Sequence, residues 1–180
     1  AQTILKIRQI SPGTKVEVLI PDFQRTSKNL DRVIQAEPDV LAHNLDTVPR
    51  LFPMVKPRAS YHRSLNLLRY TKQSAPSIRT KAGFMLGLGE NMHEIHAGMD
   101  DVRSAQVDIL TIGQYLRPSN KHLPLLKYYR PEEFHDLKQI GERKGIPHVE
   151  SGPLVRSSYH AAEQVDDLLN REKSSFNVLH

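Results

Sequence analysis

An apolar run that passes directly into closely spaced glycines constrains this chain more than any other feature. From Lys81 to Glu90 the sequence reads KAGFMLGLGE, so apolar side chains lead into Gly87, Gly89 and then a carboxylate. A continuous apolar run indicates a strand that is buried on both faces. Glycines after such a strand let the backbone come close to a bound group or adopt dihedral angles that other residues avoid. The segment therefore predicts a buried strand that ends in a ligand-binding loop.

Other short aliphatic runs alternate with segments of helical period. Strands are predicted at 15–20, 40–42, 83–88 and 107–112, with a short strand at 147–150, and helices at 27–36, 61–74, 92–106 and 131–144. Ser27 and Asn91 suit helix N-caps, Pro131 suits a first helical turn, and Gly145 suits the position after a helix end. The alternation predicts an α/β fold in which helices cover a parallel sheet or barrel, and an open doubly wound sheet is the alternative.

Polar residues follow the predicted strands at 21–23, 43–46, 87–90 and 113–115. Ligands of parallel α/β folds bind at the carboxyl ends of the strands, so we expect the site at these four positions. Taken singly, each Asn or Asp is more typical of a turn or a cap. The clustering of polar groups at all four strand ends is what favours a site.

Composition excludes several classes of protein. The chain has 180 residues, of which 38% are hydrophobic and 25% charged, as in a globular domain with one core. No apolar run approaches the roughly 18 residues that cross a bilayer, and the start does not resemble a signal peptide, so we expect a cytoplasmic protein without a membrane partner. The net charge of +5 is scattered among acids, which disfavours nucleic acid and fits an acidic protein partner or an anionic small ligand equally well.

The chain contains no cysteine, so it offers neither disulfides nor thiolate ligands. His93, Glu94 and His96 lack the spacing of a zinc-protease helix, and a solvated helix face is the preferred interpretation there. No serine lies in a G-x-S-x-G elbow, which disfavours a serine hydrolase. Ser157 and Ser158 follow an arginine, and by themselves they suit a helix N-cap.

Taken together, the motifs resemble those of lipoyl synthases, a family of radical S-adenosylmethionine enzymes. Residues 83–90 are similar to the G-x-I-x-G-x-x-E motif on the fifth strand of that superfamily. The resemblance is carried in order by 18–23, 43–51, 61, 64–65, 80–90, 108–118, 122–124 and 149–160. It implies a partial (β/α)6 barrel that here lacks its first strands.

The resemblance also implies roles for particular residues. Asn44 and Asp46 would lie near the ribose and amino-acid part of S-adenosylmethionine, while Gly83, Met85 and the backbone of Gln114 and Tyr115 would flank its adenine. Ser157 would be the hydroxyl ligand of an auxiliary [4Fe-4S] cluster, with Ser158 as the alternative. An alkoxide suits iron less well than a thiolate does, so such a ligand can leave when the cluster gives up sulfur.

The chemistry implied by the resemblance uses two [4Fe-4S] clusters and S-adenosylmethionine. A reduced cluster cleaves S-adenosylmethionine to a 5′-deoxyadenosyl radical, which abstracts hydrogen from an octanoyl chain on a carrier-protein lysine. The auxiliary cluster then supplies sulfur, and two such events give the lipoyl group. The implied partners are octanoylated lipoyl-carrier domains and a small electron-donor protein.

The sequence departs from the family in one major respect. Lipoyl synthases carry cysteine triplets C-x4-C-x5-C and C-x3-C-x2-C in their N-terminal half, and this chain has neither. We therefore expect a C-terminal part that is inactive alone, with 1–165 forming the barrel and cluster-ligand motif, 166–180 a flexible tail, and the N-terminal half missing. Ala82 replaces the usual Ser, and Asp46 replaces the common Glu. The alternative is a cysteine-free α/β nucleoside-binding module without radical chemistry.

Overall fold

The fold consists of parallel strands alternating with helices. The computed structural model describes residues 1–23, 27–158 and 163. The predicted tail at 166–180 and the end of the motif at 159–160 lie outside the described residues, and the division at residue 165 stays a prediction.

The described elements confirm the α/β prediction. In chain order they are α1 (Gln2–Ile10), β1 (Glu17–Leu19), α2 (Ser27–Ile34), β2 (Val40–Ala42), α3 (Phe52–Val55), α4 (Tyr61–Ser74), β3 (Arg79–Leu86), α5 (Met92–Ser104), β4 (Ile109–Gln114), α6 (Pro131–Arg143) and β5 (His148–Gly152). The five strands form one sheet in the order β1-β2-β3-β4-β5, and every neighbouring pair is parallel. Each connection is therefore a crossover that carries a helix, as in a partial barrel.

The two faces of the sheet differ in character. On β3, Ala82, Phe84 and Leu86 belong to the hydrophobic core. Because successive strand residues point to opposite faces, Gly83 and Met85 lie on the other face. The register pairs Gly83 with Thr111 and Met85 with Gly113, so these positions of β3 and β4 lie side by side.

The ends of α5 and α6 agree with the predicted caps, whereas Ser27, predicted as an N-cap, is the first residue of α2. The Asn91 side chain accepts a hydrogen bond from the Glu94 backbone, and the Glu94 carboxylate accepts one from the Asn91 backbone, which completes a capping box. Pro131 lies in the first turn of α6, and Gly145 follows that helix with φ of 87°.

Most element boundaries differ from the prediction by one to three residues, and the largest differences concern β3 and α3. β3 begins at Arg79 rather than at Gly83 and ends at Leu86, because Gly87 has φ of 116° and leaves the extended region. The first four residues of β3 include polar side chains, so the apolar run in the sequence did not indicate that they belong to the strand. The four-residue α3 is too short to show a helical period in the sequence. Within the described part of the chain, no helix is long and apolar enough to cross a membrane.

Candidate functional site

A small cavity lies where β2, β3 and β4 reach their carboxyl ends. Its volume is about 100 Å³, and it is lined by Asn44, Asp46, Gly83, Phe84, Met85, Thr111, Gly113, Val155, Arg156 and Ser157. Four of the predicted S-adenosylmethionine residues and the predicted iron ligand are therefore on one wall. The structure brings together residues that are up to 113 positions apart in the chain.

A larger cavity adjoins the small one. It has a volume of about 590 Å³, and its lining includes the remaining predicted residues, Gln114 and Tyr115. Met85 and Arg156 line both cavities, so the two share a wall. All seven predicted site residues thus lie around one continuous region at the carboxyl edge of the sheet, and their individual roles stay predictions.

Gly83 is required by the packing of two side chains. A Cβ atom at Gly83 would lie 2.8 Å from Asn44 Oδ1 and 2.9 Å from Thr111 Oγ1. Asn44 Oδ1 is buried and accepts no hydrogen bond from the described residues. Buried acceptors are nearly always satisfied, so this carboxamide oxygen is available to a donor group in the cavity.

Asp46 bridges β2 and β3 through its backbone. Its N–H donates to the Gly83 carbonyl at 2.8 Å, and its carbonyl accepts from Met85 N–H at 2.7 Å. The residue has φ of 66°, a left-handed conformation that Asp tolerates better than most residues. Lys56 Nζ lies 2.5 Å from the carboxylate and donates to the Asn44 carbonyl at 2.8 Å, so the Asp46 charge is partly balanced.

The loop that follows β5 brings Ser157 to the cavity. Gly113 lets this loop pass close to β4, because a Cβ atom there would lie 2.2 Å from the Val155 carbonyl oxygen. Ser157 is half-buried on the cavity wall, whereas Ser158 is exposed and is not part of the lining. Of the two serines, only Ser157 therefore lies on the cavity wall, and its role as an iron ligand stays a prediction.

The glycine loop after β3 is held by two polar side chains. The Glu90 carboxylate accepts hydrogen bonds from Gly87 N–H at 2.6 Å and Leu88 N–H at 3.0 Å. The Gln114 amide donates to the Leu86 carbonyl at 2.8 Å, and its oxygen accepts from Tyr129 N–H at 2.9 Å. Because these side chains are used within the protein, any contact of Gln114 with a ligand falls to its backbone.

The hydrogen bond between His43 and Ser64, next to Asn44, was not predicted from the sequence. His43 is buried, and its two ring nitrogens lie 2.8 Å from the Ile20 carbonyl and 2.8 Å from Ser64 Oγ. A carbonyl only accepts, so Nδ1 carries the proton and Nε2 accepts from the Ser64 hydroxyl. The pair joins β1, the end of β2 and α4 directly before Asn44. No spacing in the sequence indicates a contact across 21 residues.

We expect this histidine to make the protein less stable in acid. Burial lowers the pKa of His43 below 6.5, so the unfolded state binds a proton that the folded state does not. Stability contributed by His43 is therefore present above pH 6.5 and falls as the pH drops below that value. Urea unfolding at pH 7.5 and pH 5 should show a decline that is smaller in His43→Gln by up to about 2 kcal/mol, the limit for one group that is protonated below pH 6.5 in the unfolded state alone.

The matched control is His62→Gln, at an exposed position on α4. It should keep the wild-type decline between the two pH values. An equal decline in wild type and His43→Gln would show that burial of this ring does not govern the acid sensitivity.

In the segment around His93, the Glu94 carboxylate is already used in contacts within the protein. Glu94 lies 2.6 Å from Arg50 Nε, and its hydrogen bonds with Arg50 and with the Asn91 backbone lower its pKa to about 2. Among the residues that the structure describes, no three His, Asp or Glu side chains converge as metal ligands.

Solved structures define the class of fold. The chain is similar to SuiB of Streptococcus suis, in a crystal structure with S-adenosylmethionine bound, with a TM-score of 0.60, 10% identity and coverage of 77% of this chain and 31% of SuiB. It is also similar to a domain of a pyruvate-formate lyase-activating enzyme from Bacteroides vulgatus, with a TM-score of 0.62, 12% identity and coverage of 82% and 86%. The chain therefore shares the α/β fold of these two structures.

Sequence comparison narrows the class to one family. No protein-family model matches the chain. Lipoyl synthase of Rubrobacter xylanophilus is 56% identical over 167 residues, which cover 93% of this chain and 52% of that protein. Lipoyl synthase of Geobacillus thermodenitrificans is 53% identical over 167 residues, which cover 93% and 56%. The chain is a homologue of the C-terminal part of lipoyl synthases and spans about half the length of these curated relatives.

Proposed function

We propose that this chain supplies the S-adenosylmethionine site and one iron ligand of a lipoyl synthase. The observation that carries the proposal is the convergence of Asn44, Asp46, Gly83 and Met85 with Ser157 on one cavity wall. Their convergence supports a single reaction in which both groups take part. The resemblance to lipoyl synthases gives that reaction as the insertion of two sulfur atoms into a protein-bound octanoyl-lysine.

The residues present fit S-adenosylmethionine. Asn44 Oδ1 is a buried acceptor with no partner among the described residues, and S-adenosylmethionine carries hydroxyl and amino donors. Gly83 keeps the space between Asn44 and Thr111 open, and Gly87 turns the backbone of the next loop toward the larger cavity. Asp46 would place a carboxylate near the positive charges of the ligand.

The fit to an iron-sulfur cluster is partial. Ser157 offers one oxygen ligand, but the 180 residues contain no thiolate. We therefore propose that cysteines outside these residues complete both clusters and that the chain alone does not form product. S-adenosylmethionine and a reduced cluster would supply hydrogen abstraction, and the auxiliary cluster would supply sulfur.

The protein's own contribution is to hold and orient the bound S-adenosylmethionine and to exclude water from the site. Asn44 and Asp46 would hold the polar end of S-adenosylmethionine, and the β3 glycines would let its adenine lie against the backbone. Met54, Val55 and Leu88 give the larger cavity an apolar wall that keeps water away from an octanoyl chain. We propose octanoylated lipoyl-carrier domains as the substrate, a small electron-donor protein as the reductant source, and the cytoplasm as the location.

A chimera tests the proposal. This chain replaces the matching half of the Rubrobacter xylanophilus lipoyl synthase, so that the remaining half supplies the cysteines. We expect the anaerobically reconstituted chimera to convert an octanoylated carrier domain to the lipoyl form, measured by mass spectrometry, and the isolated chain to form none. An inactive chimera with two intact clusters, together with micromolar S-adenosylmethionine binding by the iron-free chain, would favour the nucleoside-binding module instead.

A further inference from the structure

The connection between β4 and α6 has an unusual charge pattern. Residues 116–130, here called the basic loop, contain Arg117, Lys121, Lys127 and Arg130 and no Asp or Glu. The surplus charge of the chain is therefore concentrated locally beside the candidate site. The net charge of the whole sequence does not show this clustering of basic residues.

Internal hydrogen bonds give the basic loop a defined shape. Tyr115 Oη donates to the Leu123 carbonyl at 2.9 Å, and Arg117 donates to the Asn120 carbonyl at 2.7 Å and to the His122 carbonyl at 3.0 Å. Leu126 N–H donates to the Gly87 carbonyl at 2.8 Å, which fastens the loop to the glycine turn after β3. A surface held in this way is preorganised for binding.

Two cations of this region have no carboxylate partner among the residues that the structure describes. Lys127 pairs with Glu133 at 2.7 Å, and Arg130 lies 4.0 Å from the same carboxylate. Within the described residues, Arg117 and Lys121 form no ion pair. Lys121 lines the larger cavity together with His122 and Arg156, and that lining contains no Asp or Glu.

The same loop exposes large apolar side chains. Leu116 is 48% exposed, Leu126 66% and Tyr128 70%. Apolar groups interleaved with unpaired cations suit a protein surface better than a nucleic-acid backbone, for which a continuous basic stripe is typical. The complementary partner is an acidic protein surface that also presents an apolar group.

We propose that the basic loop is the docking surface for the acidic face of the octanoylated carrier domain, with the octanoyl-lysine entering the larger cavity beside Lys121. This inference rests on the proposed function for the identity of the partner. The acidic character of the partner follows from the loop itself. Met54, Val55 and Met85 give the same cavity an apolar lining beside Lys121 and His122.

Binding measurements with the 180-residue chain test the surface. An octanoylated lipoyl-carrier domain is titrated by isothermal calorimetry at 50 and 200 mM salt. We expect Lys121→Glu to weaken binding at least about fivefold at low salt and less at high salt, because it places a carboxylate against the acidic partner. Tyr128→Ala should weaken binding at both salt concentrations, since it removes apolar contact.

The matched control is Lys6→Glu, which makes the same charge change at an exposed position on α1. Equal binding by Lys121→Glu and Lys6→Glu would overturn the proposal, and so would displacement of the carrier domain by duplex DNA. A carrier domain whose surface Asp and Glu are changed to amides should no longer distinguish Lys121→Glu from wild type. The measurement requires no catalysis, so an inactive chimera combined with a Lys121-dependent affinity would refute the proposed function and leave the docking surface standing.

Discussion

Replacing Ser157 with alanine in the chimera should abolish lipoyl formation while sparing cleavage of S-adenosylmethionine. Ser157 is half-buried and lines the small cavity together with Asn44 and Gly83, and the proposal gives it one iron of the auxiliary cluster. Loss of groups that only support metal ligands costs about 10- to 100-fold, so loss of a direct ligand should cost at least about 100-fold. Lipoyl product is measured by mass spectrometry and cleavage by release of 5′-deoxyadenosine.

Two companion variants separate ligation from a packing effect. Ser158→Ala removes a hydroxyl that is exposed and outside the cavity lining, and it should form product at close to the wild-type rate. Ser157→Cys should keep the cluster but release sulfur more slowly, because iron binds thiolate more strongly than an alkoxide. Normal product formation by Ser157→Ala would refute the ligand role, and a loss of S-adenosylmethionine cleavage would indicate a collapsed site.

The order of elements was predictable because each carries its own local signal. Buried strands of a parallel sheet are apolar on both faces, so β2 and the later part of β3 are visible as runs in the sequence. Asn91 and Gly145 mark helix ends by chemistry that involves only their neighbours. Arg79 to Ala82 escaped prediction because Arg79 and Lys81 are polar, although Lys81 is buried and pairs with Glu17 at 3.1 Å. A charge that is balanced across two strands has no signature within either strand.

The location of the candidate site was predictable from the polar residues that follow the strands, but the roles of individual residues came from motifs. The proposed roles of Asn44, Gly83 and Ser157 were predicted from the resemblance to a known family. The parallel register explains why these residues meet, because it brings successive strand ends to one edge of the sheet. The hydrogen bond from Ser64 to His43 depends on the packing of α4 against the sheet, which the sequence does not encode locally. The basic loop illustrates another limit. Its carboxylate-free character is present in the sequence, but its position beside the larger cavity comes from the hydrogen bonds of Leu126 with Gly87 and of Leu123 with Tyr115.

Gly113→Ala should displace the loop that carries Ser157 and thereby reduce product formation about 100-fold. The new Cβ atom would lie 2.2 Å from the Val155 carbonyl oxygen and 3.2 Å from Arg156 Nη1. A backbone oxygen cannot rotate away as a side chain can, so the loop must move by about 1 Å, at a cost of about 1–3 kcal/mol. A displacement of that size at a reacting group is enough to cost about 100-fold in rate. The checks are product formation by the chimera and hydrogen exchange of residues 153–157.

The matched substitution is Gly13→Ala, because a Cβ atom at Gly13 would meet no atom within 4 Å. It should leave activity unchanged and alter the free energy of unfolding by no more than about 1 kcal/mol, since it mainly restricts the unfolded chain. Gly113→Ala should lose less S-adenosylmethionine affinity than product formation. The reason is that Asn44 and Asp46 are held by contacts with β3 and Lys56 rather than by the displaced loop. Equal losses of affinity and product would mean that the substitution acts on the nucleoside site itself, and the position of Ser157 would then not explain its effect.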